Sequence, residues 1–182
     1  MLDQRERLES YRDRLYGYAI SLSQDPDLSR DLVQDCALKA LTAKKVPQDE
    51  PAFRAWLFRI LRNAFLDHLR AADRLADFTF DDSDDLDPGV WSAEERMVDA
   101  VTVRVALAAM PAGQRDILAL IDIAGLRYAE AATLLDVPVG TVMSRVSRAR
   151  QALLLRISGS NVTPLKSAVR SAVNSSQGGR RR

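Results

Sequence analysis

The chain has 182 residues, 47% hydrophobic and 28% charged, a length that suits one ordinary domain or two small ones. That composition sustains a core and excludes a disordered chain, and 26 Lys+Arg against 25 Asp+Glu excludes a polycation that would coat nucleic acid or anionic lipid indiscriminately. A lone cysteine, Cys36, excludes an internal disulfide, and with His68 as the one histidine it leaves a Cys/His zinc site without ligands, so neither metal nor cofactor is expected. The opening MLDQRERLES has no apolar segment, and no later stretch nears the roughly 18 apolar residues of a membrane span. A cytoplasmic, reducing location is the expectation.

The pattern reads as all-α. Leu8, Tyr11, Leu15, Tyr18 and Leu22 step by three and four, which predicts a first amphipathic helix ended by Asp25-Pro26. A second helix is predicted from about Leu28 to Lys44, with Leu32, Cys36 and Ala40 inward and Asp31, Gln34, Asp35 and Lys39 outward. A third begins near Pro51 and continues to about Leu75, with Phe53, Leu57, Ile60 and Ala64 as its buried stripe. From Asp77 to Asp87 the composition changes to FTFDDSDDLDPG, acids with no base, which reads as a self-repelling linker. Helix resumes at Trp91, with Val98, Val101, Val105 and Leu107 toward a core, up to Met110-Pro111. Three short helices are predicted over Ala112 to Ala124, Tyr128 to Leu135 and Pro138 to Leu155, separated by Gly125 and by Asp136-Val137-Pro138. Beyond Ile157 the Ser, Gly and Arg content predicts a disordered basic tail, with one marginal helix from about Leu165 to Val173.

Two helices joined by a short turn, the second of them basic, is the shape of a helix-turn-helix DNA reader. In PVGTVMSRVSRARQALL, Val142, Val146, Ala149 and Leu153 pack inward and leave Thr141, Met143, Ser144, Arg145, Ser147 and Arg148 outside. From Val137 to Arg182 there are nine bases and no acid, so these arginines read as more than a solvated face. Arginine forks can read guanine edges, whereas phosphate contacts only position a helix. FRAWLFRILRNAFLDHLRAADR gives a second, weaker signal: arginines with interleaved aromatics suit unstacked bases. An aromatic stripe at helical spacing is more often core, and Phe53 and Trp56 are read that way first. Cys36 reads as a small core residue and His68 as a surface or DNA-facing side chain. The sequence carries no nucleophile–base–orienter set and no phosphate-cradling glycine loop, so no enzyme activity is expected.

Three ordered blocks, LYGYAISLSQDPDLSRDLVQDCALKAL, FRAWLFRILRNAFLDHLR and ALAAMPAGQRDILALIDIAGLRYAEAATLLDVPVGTVMSRVSRARQALL, are similar to the extracytoplasmic-function (ECF) group of the sigma-70 family, initiation factors of bacterial RNA polymerase. The resemblance covers about two thirds of the chain. It implies residues 1–76 as region 2, 77–92 as an acidic linker, 93–157 as region 4 and 158–182 as the tail. It implies that Asp31, Gln34, Asp35 and Lys39 dock on core polymerase. Trp56, Arg59, Arg62 and Asn63 would melt the -10 element and hold an extruded base, with Asp67, His68 and Arg70 against the adjoining DNA. Thr141, Met143, Ser144, Arg145, Ser147 and Arg148 would read the -35 element in the major groove. Glu130 would sit in the scaffold helix, and Gln114 and Arg115 near a phosphate or the polymerase flap. Promoter DNA, core polymerase and an anti-sigma factor are the implied partners.

Departures are informative. Met143 stands where many members carry Lys or Arg, and its apolar side chain suits a thymine methyl. Val-Met-Ser-Arg is similar to a general-stress-response subgroup, and Cys36-Ala37 replaces the commoner Thr-Phe. Two rival functions stay on the page. A stand-alone helix-turn-helix regulator would bind its operator unaided and would not need acids outward on the second helix. A sigma mimic that titrates an anti-sigma factor would have no reason to keep Arg145, Arg148, Arg59 and Asn63. The balanced charge also predicts that, free in solution, acids partly neutralise the basic faces until polymerase separates them.

Overall fold

Aspartates start the first three helices. The computed structural model of the chain describes residues 3–72 and 100–159, with side chains from 102 in the second stretch. The expectations placed on the acidic linker, on Trp91, Val98 and Val101, and on the tail beyond residue 159 lie outside what is described. Asp3 caps α1 (Gln4–Ser23) in a capping box with Glu6. Asp25 accepts from the amides of Asp27 and Leu28 at 2.8 and 3.1 Å and, with Pro26 behind it, starts α2 (Pro26–Thr42). Asp49 accepts from the Ala52 amide and starts α3 (Glu50–Ala71). Then come α4 (Ala100–Ala108), α5 (Ala112–Leu118), a π-helical turn (Ala119–Ile123), α6 (Tyr128–Leu135) and α7 (Val139–Gly159). No strand occurs among the described residues.

The first three helices form one bundle and α4 to α7 a second, and both contribute to a single contiguous core. Tyr11, Leu15, Tyr18 and Leu22 are buried as their spacing predicts, as are Leu32, Cys36 and Ala40 of α2. On α3 the buried set is broader than expected. Phe58, Leu61 and Phe65 join Phe53, Leu57 and Ala64, while Ile60 is only half-buried. The reason is that α3 is packed from several directions, by α1 and α2 on one side and by α6 on another. Val105, expected inward, is 64% exposed; Ala106 and Met110, one helical turn apart, take the core side of that segment instead.

The helix expected over Ala112 to Ala124 is split. After Leu118 the chain widens into a π turn, with the Ala124 amide donating to the Ala119 carbonyl five residues back. Gly125 then takes a positive φ of 71° and reverses the chain before α6.

Cys36 lies in the core with its thiol donating to the Leu57 carbonyl. Burial, with a smaller contribution from the Asp35 charge, pushes the thiol up to about 12. At pH 8 its thiolate fraction is therefore roughly one in ten thousand, and alkylation by iodoacetamide should run about three orders of magnitude slower than for a free thiol. Mass spectrometry of quenched samples should show modification at an ordinary rate only in denaturant. Because the folded thiol titrates higher than the unfolded one, its stabilising contribution is complete below about pH 8.5. It is lost as pH rises toward about 12.

Candidate nucleic-acid interface

The helix-turn-helix is built by α6, a tight turn and α7. Asp136 closes α6 in the left-handed region at φ 55°, and the Pro138 carbonyl accepts from the amides of Thr141 and Val142 as α7 begins. Val142, Val146 and Ala149 are fully or almost fully buried against the rest of the second bundle, and Leu153 is half-buried. That inward stripe fixes what α7 turns outward. Met143, Ser144 and Ser147 are exposed, and Thr141, Arg145 and Arg148 are half-buried at the margins of the same face. Met143 at 54% and Val139 at 42% are exposed apolar groups one turn apart, a surface whose chemistry suits a methyl group rather than a phosphate. Arg150, counted in the sequence among the unopposed bases, donates to Asp122 at 2.6 Å.

The α3 candidates divide. Asn63, Asp67, His68 and Arg70 are exposed, with Arg70 and Asp67 paired at 2.6 Å in an open contact worth only a few tenths of a kcal/mol. Phe53 is core, stacked obliquely on the half-buried Trp56 at 5.7 Å, so the bland reading holds for Phe53. Arg59 and Arg62 do not stand free of the second bundle. The Arg59 Nη2 donates to the Thr133 carbonyl at 2.8 Å, and the Arg62 Nε donates to Asp116 at 2.8 Å. Asp116 is 3% exposed and also accepts from the Tyr18 hydroxyl at 2.6 Å. Burial raises the Tyr18 phenol well above its usual range, reinforced by the Asp116 charge. Burial alone would lower the Arg62 guanidinium, but Asp116 outweighs it and the group titrates above its usual value.

On α2, Asp31, Gln34 and Lys39 are exposed and Asp35 is half-exposed, paired with Lys39 at 2.7 Å. Leu38 at 63% and Leu41 at 42% exposure extend that face with apolar area, a feature the charge pattern alone did not mark. Glu130 is in the scaffold helix as the resemblance implies, where it accepts from the Arg127 amide and receives Arg54 Nη2 on both oxygens at 2.8 and 2.7 Å. Gln114 and Arg115 are held within the chain in this structure. Gln114 is 5% exposed, and Arg115 donates to the carbonyls of Ser21 and Met110 inside the molecule. Asp116 was missed, although a signal existed: it shares a face with Gly113 and Leu120, three residues before and four after, so an acid falls on the core side of α5. No group of three or more metal-ligating side chains occurs among the described residues.

Comparison with known proteins fits this geometry. The model of sigma-70 region 2 matches residues 8–75, which contain α1 to α3 apart from the first turn of α1. That of sigma-70 region 4 matches 100–153, which contain α4 to α6 and α7 as far as Leu153. The chain is 37% identical over 150 residues to the ECF RNA polymerase sigma factor EcfG of Rhodopseudomonas palustris, covering 80% of this chain and 81% of that one. It is 31% identical over 154 residues to the RNA polymerase sigma-H factor of Pseudomonas aeruginosa, covering 79% and 80%. Among solved structures, the sigma factor RpoE of Bartonella quintana, crystallised with the anti-sigma factor NepR, superposes with a TM-score of 0.63 at 32% identity over 86% of this chain and 98% of that one. With both regions matched in order, and relatives 37% and 31% identical over about four fifths of their length, this chain belongs to the ECF sigma factors of the sigma-70 family.

Proposed function

We propose that this sigma factor divides promoter-specific initiation among three faces. Asp31, Gln34, Asp35 and Lys39 on α2 contact core RNA polymerase. Trp56, Arg59, Arg62 and Asn63 on α3 open the -10 element, with Asp67, His68 and Arg70 along the adjoining strand. Thr141, Met143, Ser144, Arg145, Ser147 and Arg148 on α7 read the -35 duplex. Residues 1–76 act as region 2, 77–92 as the linker, 93–157 as region 4 and 158–182 as a basic tail. The phosphodiester chemistry belongs to the polymerase, so the chain is a regulatory subunit and not itself an enzyme. It works in the cytoplasm, where the polymerase is. No described helix is long and apolar enough to cross a membrane. By analogy with the Bartonella quintana protein, whose structure contains NepR, an anti-sigma factor is its inhibitor.

The observation that carries this reading is the orientation of α7. Its apolar stripe is consumed by the core, which obliges Met143, Ser144 and Ser147 to face outward beside Arg145 and Arg148. Run-off transcription with purified bacterial core enzyme over a promoter library tests it; if no template is transcribed above core alone, the reading fails. Within that assay Arg145→Ala should lower initiation from promoters that depend on the upstream element about tenfold to a hundredfold, the worth of one good base contact. Asn63→Ala should leave closed-complex binding intact and reduce opening about tenfold. Permanganate reactivity of unpaired thymines reports that step, and unchanged reactivity would remove Asn63 from the role.

A further inference from the structure

The outward side of α7 has a shape as well as a composition. Gly140, Met143, Ser144 and Ser147 stand three or four residues apart on the helix, so they share one face, and all four are exposed. Three of them are short. A Cβ added at Gly140 would meet no atom within 4 Å, so the chain's own packing leaves that spot bare. Met143 is therefore the tall group on a floor of glycine and serine, and 54% of its surface is open. Val139, one turn earlier and 42% exposed, backs it with a second apolar side chain. Methionine is unbranched and polarizable, so it adapts to whatever small apolar group it meets.

The polar groups around this knob are biased too. The Ser144 hydroxyl donates to the Thr141 carbonyl at 3.0 Å, which uses its one proton and leaves its oxygen to accept. The helix carries no acid from Val139 to Gly159, and its cations nearest this face, Arg145 and Arg148, lie at the margins. The centre of the face thus offers an apolar group beside an acceptor. In the major groove a guanine presents two acceptors, N7 and O6, for which that centre holds no donor. An A·T pair presents the C5-methyl group of thymine and the amino group of adenine, the complements of both.

We propose that Met143, backed by Val139, recognises the C5-methyl group of one pyrimidine in the upstream promoter duplex, with Ser144 accepting from an amino group beside it. In unmodified DNA that pyrimidine is thymine, so the -35 element contains an A·T pair that this chain requires. The proposal rests on the reading of α7 given above and deepens it by naming the class of base pair. Rejection of a G·C pair follows from the same contact, because a thioether set over guanine N7 and O6 strips both acceptors of water without supplying a donor.

The test uses holoenzyme assembled from the full chain and core enzyme, on a -35 element selected from the promoter library. Each thymine of that element, on either strand, is replaced in turn by deoxyuridine, which deletes the methyl group and nothing else. Run-off initiation at limiting holoenzyme should fall about threefold to tenfold at one position, the scale of losing one buried methyl group. Met143→Ala should start from a similarly lowered level on the thymine template and lose the response to deoxyuridine there, whereas Met143→Leu should keep it. Cytosine at that position, with guanine opposite, should initiate poorly, and 5-methylcytosine separates the two sources of the methyl group. Rescue by it shows that the methyl group suffices, and no rescue shows that thymine itself is required. A selected element without an A·T pair, deoxyuridine that is neutral at every thymine, or a full deoxyuridine effect in Met143→Ala would each overturn the proposal. Arg145→Ala on the unmodified template separates the two levels. If it lowers initiation while no methyl effect is seen, α7 remains the -35 reader and methyl recognition falls. If Arg145→Ala and Met143→Ala both initiate like wild type, the assignment of α7 has itself failed.

Discussion

Phe58→Ala should lower stability by about 3–5 kcal/mol, the usual cost of emptying a buried aromatic site. For a chain of this size that is a fall in Tm of roughly 6–20 °C. Phe58 is fully buried at the meeting of α1 and α3, with its ring edge-on to Tyr18 at 5.4 Å and to Tyr11 at 6.5 Å. Each such pair contributes about 0.5–1.5 kcal/mol beyond area burial, so the loss exceeds the transfer free energy of the ring alone. The damage also spreads. Tyr18 is positioned between Phe58 and Asp116, and a void beside its ring loosens the hydroxyl that supports that buried carboxylate. Phe58→Leu, which fills most of the volume, should cost under about half as much. Far-UV circular dichroism during heating measures both, and an alanine variant within about 1 kcal/mol of wild type would show that the ring is not held as described.

Much of the fold was legible because its signals are local. Asp25-Pro26 and the residues around Pro51 mark helix starts by backbone chemistry that needs no distant partner, and the stripes on α1, α2 and α7 follow from 3.6-residue periodicity. The tight turn before α7 was visible in Asp136-Val137-Pro138. What local reasoning could not supply is how the two bundles meet. Val105 reads as apolar and therefore inward, yet its side chain is 64% exposed. The π turn has no breaker in ALIDI to announce it, and it sets Ile123 close against Gly17 of α1. For the interface, the spacing put Arg59 and Arg62 on an outward face of α3, and in this structure Thr133 and Asp116 receive them. Spacing places a side chain on a helix face, whereas its partner comes from 54 or 74 residues away, and only tertiary packing decides that.

Asp35→Arg should reduce affinity for core polymerase about a hundredfold or more while leaving the fold intact. The face proposed for docking combines the carboxylates of Asp31 and Asp35 with exposed Leu38 and Leu41, the mix of apolar anchor and charged rim that protein interfaces use. Locally the change is mild. It removes an exposed i,i+4 pair with Lys39, worth about 0.3–0.5 kcal/mol, and replaces it with a repulsion of similar size. The expected shift in Tm is therefore no more than a few degrees. Against a basic partner surface the same change replaces attraction with like-charge contact, which costs several kcal/mol, and each 1.4 kcal/mol is tenfold in affinity. Asp35→Asn, which removes charge without inverting it, should fall between the two. Size-exclusion or interferometry with purified core enzyme reads the affinity, and calorimetry on the free protein reads the fold. Loss of association with an unchanged Tm assigns Asp35 to docking, and wild-type affinity in the arginine variant would remove α2 from that role.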